Sequence, residues 1–135
     1  MSETVVPLDG CATTAADPDR AAALRGRLID PTDAARLAGL FRLLGDPTRA
    51  RLLHALLEAG ELCVCDLAAA TGTAEATVSQ ALRLLRASGV VTGRREGRNV
   101  FYRLSDAHVR MLLDLTLEHT QHDRTPAASE TRVVP

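Results

Sequence analysis

Residues 65–89 read "CDLAAATGTAEATVSQALRLLRASG", and the fold turns on what these residues form. A short Ala-rich segment ends at Gly72, which supplies a tight turn, and Thr73 or Ala74 opens a second, longer helix. In that helix Val78, Leu82 and Leu85 fall on one stripe suited to a core, while Ser79, Gln80, Arg83 and Arg86 project elsewhere. A helix that buries one stripe and offers short polar side chains and arginine is built for a major groove. Thr77, Ser79, Gln80 and Arg83 are therefore the candidate base contacts, with Arg86 a candidate phosphate contact.

Working outward, the pattern changes after Gly89. "VVTGRR" and "NVFYRL" are two strands flanking "EGR", a hairpin with a Gly-containing loop. Its Arg94, Arg95 and Arg98 suit phosphate or minor-groove contact. Upstream, "DPDRAAALRGRLI", "DPTDAARLAGLFRLLG" and "DPTRARLLHALLEAG" each open with Asp as N-cap and Pro in the first turn. In the second of them Leu37, Leu40, Phe41 and Leu44 share one face, and Gly45 closes it. Downstream, "SDAHVRMLLDLTLEHTQH" is a final helix capped by Ser105 or Asp106. The expected class is mainly α with a β-hairpin: a winged helix-turn-helix that dimerises through its terminal helices.

The length of 135 residues corresponds to one domain with tails. Residues 1–17 and 124–135 lack periodicity and read as mobile tails around a domain at 18–123. No stretch is apolar enough to span a membrane, and the start of the chain lacks the pattern of a signal peptide. Three cysteines argue against a disulfide framework, and the expected location is the cytoplasm. The net charge of −1 conceals an asymmetry. Residues 73–103 hold six arginines against Glu75 and Glu96, a local balance of +4, whereas residues 104–135 balance at −2. A basic segment within an acidic chain points to a polyanion as partner of that segment alone, here double-stranded DNA.

Two groups of residues have the chemistry of metal ligands. Cys63 and Cys65 lie two apart, and within a helix they would point to opposite sides. They can share one ion if the backbone is irregular there, as at a helix start, where N–H groups also lower a thiol's pKa. Cys11, in the N-terminal tail, is a possible third thiolate from the partner chain. The bland alternative is a pair of small buried residues at a helix junction. The second group is in the last helix. His108, His119 and His122 share one face with Leu112 and Leu115 between them, but His108 and His119 are separated by about 16 Å along the axis. An antiparallel pair of these helices resolves this. It brings Asp106 and His108 of one copy beside His119 and His122 of the other, giving two tetrahedral sites suited to Zn²⁺ or Co²⁺. His54, on a Leu-rich helix, reads as a boundary histidine and not as a ligand.

With those residues in hand, the chain resembles the ArsR/SmtB family of metal-sensing winged-helix repressors. The resemblance runs from about residue 34 to residue 122. It rests on "LGDPTRARLLHALL", "ELCVCDLAAATG", "TVSQALRLLRASGVV", "REGRNVFYRL", and "DAH" with "HTQH" in the last helix. It implies an apo homodimer on operator DNA that represses metal-efflux or resistance genes and loses DNA affinity on binding metal. It also implies two site types. Cys63 and Cys65, joined by N-terminal ligands, would take soft ions such as Cd²⁺, Pb²⁺ or As(III). Asp106, His108, His119 and His122 would take Zn²⁺ or its neighbours Co²⁺ and Ni²⁺. The chain departs from the family in having only Cys11 near its N-terminus, where four-thiolate members have two cysteines, and in Ala81, where many members have His or Gln. Operator preference therefore does not transfer. The alternative is a repressor that senses redox state through Cys63 and Cys65 without metal. An enzyme is not expected, because four ligands would close the metal sphere and no Glu-bearing motif accompanies them.

Overall fold

A computed structural model describes residues 15–133, with side chains described as far as residue 122. The chain divides into two compact units, residues 1–38 and 39–135. In the first, α1 (Pro18–Arg25) starts at Asp17, whose side chain accepts the Arg20 N–H at 3.1 Å. Asp30 caps the next helix by the same device, accepting the Asp33 N–H at 2.9 Å. That helix, α2 (Pro31–Leu44), runs on into the second unit. The apolar face read from its sequence is only partly inward. Leu40, Leu43 and Leu44 pack against the core, whereas Leu37 and Phe41 are exposed.

The second unit is built on α3 (Pro47–Ala59). Asp46 caps it, accepting the Arg49 N–H at 3.0 Å, and Arg49 Nε in turn donates to the Leu43 carbonyl at the end of α2. Leu52, Leu53 and Leu56 of α3 are fully buried. They meet Leu67 of α4 (Val64–Thr71), Val78, Leu82 and Leu85 of α5 (Glu75–Ala87), and Leu104. Burying each such leucine contributes about 1.5–3 kcal/mol, enough to fix how α3, α4 and α5 pack together. The stripe expected on the second helix of the helix-turn-helix is thus present. Ala81 joins it, 7% exposed, so this position faces the core and not the groove.

Between α4 and α5, Gly72 adopts the left-handed conformation (φ 65°, ψ 32°) that a side chain would strain. Arg51 of α3 donates from Nη1 to the Thr71 carbonyl at 2.9 Å, tying the turn to the core.

The hairpin is as read, with β2 (Val91–Glu96) paired antiparallel to β3 (Asn99–Leu104). A further strand, β1 (Leu62–Cys63), was not expected; it pairs with the other edge of β3, giving the order β1-β3-β2. Gly93 lies opposite Tyr102, and a Cβ there would come within 3.1 Å of the Tyr102 ring and 3.2 Å of Val100. Only glycine admits that approach without a shift.

The final helix, α6 (Ala107–Val133), starts at Asp106, which accepts the Val109 N–H at 3.0 Å, and it continues through most of the segment read as a C-terminal tail. No described helix is long and apolar enough to cross a membrane.

Candidate metal centre and nucleic-acid interface

Cys63 closes β1 and also stands at the N-cap of α4, in an extended conformation (φ −85°, ψ 170°). Cys65 and Asp66 follow in the helix's first turn. This break between strand and helix is the irregularity that lets residues two apart face one point. The Cys63 and Cys65 sulfurs are 3.4 Å apart, and Asp66 Oδ2 lies 3.4 Å from the Cys63 sulfur. All three ligand atoms lie within 4.8 Å of one another. Two thiolates at about 2.3 Å from a tetrahedral ion would be separated by roughly 3.8 Å, so the pair fits such an ion after an adjustment of a few tenths of an ångström. Asp66 was passed over as a ligand in the sequence. Its signal was its place in the first turn of a helix that starts at Cys63.

The thiol's acidity departs from expectation. The Asp66 backbone N–H, the largest influence, holds the Cys63 thiol down, as a helix start should. The Cys65 thiol, burial and the Asp66 carboxylate outweigh it, and the net shift is upward. Cys63 is buried and Cys65 exposed, so one sulfur is sheltered while the other remains open to solvent. Cys11 lies outside the described residues.

The α6 residues are arranged differently. Asp106 Oδ1 is 3.8 Å from His108 Nδ1, with His108 93% exposed. His119 and His122 are exposed near the far end of the described part of the helix. Among the described residues they form no metal-sized cluster within one chain. Leu115 (61% exposed) and Met111 (58% exposed) lie between the two ends. His54 is half-exposed, 3.5 Å from Glu58.

On the nucleic-acid side, Thr77, Gln80, Arg83 and Arg86 are exposed on α5, and Ser79 is half-buried. Arg95 and Arg98 are exposed on the hairpin. Arg94 differs from them. Its Nη2 and Nε donate to Glu61 Oε1 and Oε2 at 2.8 and 2.9 Å, and Nη1 reaches Glu96 at 3.3 Å. The Arg94 hydrogen bond holds the Glu61 carboxyl below its usual range, and the same bond raises Arg94 further.

Residues 46–92 match the family model described as bacterial regulatory protein, arsR family. The chain is 49% identical over 88 residues to the transcriptional repressor SmtB homolog of Synechocystis sp., covering 65% of this chain and 66% of that one. It is 40% identical over 90 residues to the cadmium resistance transcriptional regulatory protein CadC homolog of Staphylococcus aureus, covering 67% and 72%. Among solved structures it is similar to the AntR antimony-specific transcriptional repressor, with TM-score 0.67 and 39% identity over 73% of this chain and 88% of that one. It is likewise similar to the homodimeric winged helix-turn-helix domain Mb0332 of Mycobacterium bovis, with TM-score 0.60 and 31% identity over 81% and 95%. The fold is that of these winged-helix regulators, and the chain belongs to the ArsR/SmtB family, whose members are regulators of transcription and not enzymes.

Proposed function

We propose that this protein is a cytoplasmic homodimeric repressor that binds operator DNA when metal-free, releases it on capturing a soft or divalent metal ion, and so controls metal-efflux or resistance genes. The observation that carries this reading is the approach of Cys63, Cys65 and Asp66 at the start of α4. Helix α4 is the first helix of the helix-turn-helix, so a group held at its N-terminus bears directly on the element that positions α5. A bound soft ion supplies strong thiolate bonds there, favouring Cd²⁺, Pb²⁺ or As(III) over Zn²⁺. The residues themselves do the rest. The two thiols give up their protons, Asp66 offers an oxygen, and Cys11 is proposed as a further donor from the partner. The cadmium and antimony named for the relatives agree with this donor set.

Helix α5 would enter the major groove with Thr77, Ser79, Gln80 and Arg83 toward bases and Arg86 toward phosphate, while Arg95 and Arg98 of the hairpin reach the backbone. Described side chains of Arg83, Arg86, Arg95 and Arg98 make no ion pair within the chain, which leaves them available to DNA. The exposed Met111 and Leu115 of α6 support a dimer through that helix, and the homodimeric Mb0332 domain has the same fold. Such a pair would complete the Asp106/His108–His119/His122 site for Zn²⁺, Co²⁺ or Ni²⁺.

The 3.4 Å between sulfurs also favours a second reading, a thiol redox switch. Anisotropy of labelled operator DNA with the anaerobically reduced protein separates the two. Release by Cd²⁺ or Zn²⁺ under reducing conditions is expected. Release by a mild thiol oxidant, with no response to either metal, would replace the metal reading with the redox one.

A further inference from the structure

The hairpin arginines were read from the sequence as one set, yet one of them is committed elsewhere. All three nitrogens of the Arg94 guanidinium donate to carboxylates, two of them in a fork to Glu61. Its carbon lies 5.0 Å from the centroid of the Phe101 ring. In register Arg94 faces Phe101 on β3, and Phe101 faces Cys63 on β1. Cys63, Phe101 and Arg94 therefore form one row across the sheet, on one face of it. Glu61 lies two residues before Cys63, so the guanidinium crosses the Phe101 ring and grips the segment that carries the thiol.

Two arguments remove Arg94 from the phosphate contacts. Glu61 and Glu96 surround its positive charge with two negative ones, so the local field repels a phosphate. The pair is also partly exposed, at 50% and 29% for the two side chains, and such pairs add little to folding stability. What a bidentate fork of this kind fixes is position.

We propose that Arg94 is a positioning residue. Through Glu61 and Phe101 it links the Cys63–Cys65 centre to the hairpin, so the state of the thiols is felt by the strand that carries Arg95. This rests on the metal-responsive reading above. The short β1, only Leu62 and Cys63, has few other ties to β2. Without the fork, a shift of Cys63 would be absorbed at β1 and would not reach β2.

The test uses the full-length reduced protein, with Cd²⁺ as probe. Two quantities are measured for wild type, Glu61→Gln, Arg94→Gln and the double variant. One is Cd²⁺ affinity, from thiolate charge-transfer absorption. The other is operator affinity across a salt series, with and without Cd²⁺. Both single variants should keep Cd²⁺ affinity and the salt slope of the apo-protein. The factor by which Cd²⁺ weakens DNA binding should shrink by roughly 2- to 30-fold, the range for residues that modulate coupling without touching a ligand. The double variant should lose no more than either single one, because both act through one link. A salt slope flatter by about 0.9 in Arg94→Gln would make it a phosphate contact and overturn the proposal. So would an unaltered Cd²⁺ factor in both single variants while wild type responds. If Cd²⁺ fails to bind wild type, or binds without weakening its hold on DNA, the metal-responsive reading is what fails, and this proposal falls with it.

Discussion

The start of α4 and the face of α6 carry the same kinds of donor under opposite conditions. At α4 a strand ends and a helix begins within three residues, and backbone geometry alone brings Cys63, Cys65 and Asp66 together. On α6 a regular helix holds Asp106 and His108 at one end and His119 and His122 at the other, all exposed. An irregular backbone can assemble a site inside one chain. A regular helix spaces its ligands so widely that only a second copy can complete one. The first arrangement is organised by the fold and the second by assembly, so the two should differ in ion, in dependence on the dimer, and in route to the DNA.

The largest expected effect tests the first half of that contrast. Cys63→Ala with Cys65→Ala should lower Cd²⁺ affinity by well over the roughly 10- to 100-fold typical of losing an outer-shell partner, because the ligands themselves are gone. Near-ultraviolet charge-transfer bands of the Co²⁺-loaded protein should vanish with them, while d–d bands from the α6 site persist. Bands surviving at full intensity would refute the thiolate centre.

The second test addresses α6. His108→Ala with His122→Ala should abolish the weakening of operator binding by Zn²⁺, a coupling of about 5- to 150-fold on typical allosteric values. Apo-protein DNA affinity should hold, since neither residue lies on α5 or the hairpin. A Zn²⁺ response that persists with the cysteines also replaced would place the coupling elsewhere. DNA should weaken Zn²⁺ binding by the same factor, as linkage requires.

The smallest expected effect separates fold from assembly most directly. Leu115→Lys puts a charge on an exposed apolar position of α6. It should shift the protein to monomer in sedimentation and lower Zn²⁺ affinity, yet leave Cd²⁺ affinity nearly unchanged. A parallel loss of Cd²⁺ affinity would mean that the thiolate centre also draws on the partner, with Cys11 the first residue to substitute.

The sequence was most readable where chemistry is local. Asp17, Asp30, Asp46 and Asp106 each accept an N–H three residues ahead, so a few adjacent letters announce the helix start. The stripe of Val78, Leu82 and Leu85 was readable for the same reason, being a period within one helix. What escaped depends on partners far along the chain. Strand β1 exists because Leu62 and Cys63 find Tyr102 and Phe101, and two residues are too few to show a period of their own. The Arg94–Glu61 fork spans 33 residues, so Arg94 looked like its neighbours Arg95 and Arg98. Phe41 and Leu37 illustrate the reverse case. Their spacing marks an apolar face, but spacing does not say whether that face meets the chain's own core.

Cys63 occupies the N-cap of α4, yet its side chain makes no capping hydrogen bond there. Serine is among the residues that cap best, and a good cap contributes about 1 kcal/mol relative to a residue that cannot cap. The customary Cys-to-Ser replacement is therefore not silent at this position. Cys63→Ser would remove a ligand and at the same time lend α4 a cap it ordinarily lacks, stiffening the first helix of the helix-turn-helix. A protein altered in that way could hold DNA more tightly for a reason unrelated to metal, and its failure to let go would be mistaken for lost sensing. Alanine is the cleaner replacement at Cys63, whereas Cys65, already inside the helix, does not raise the same ambiguity.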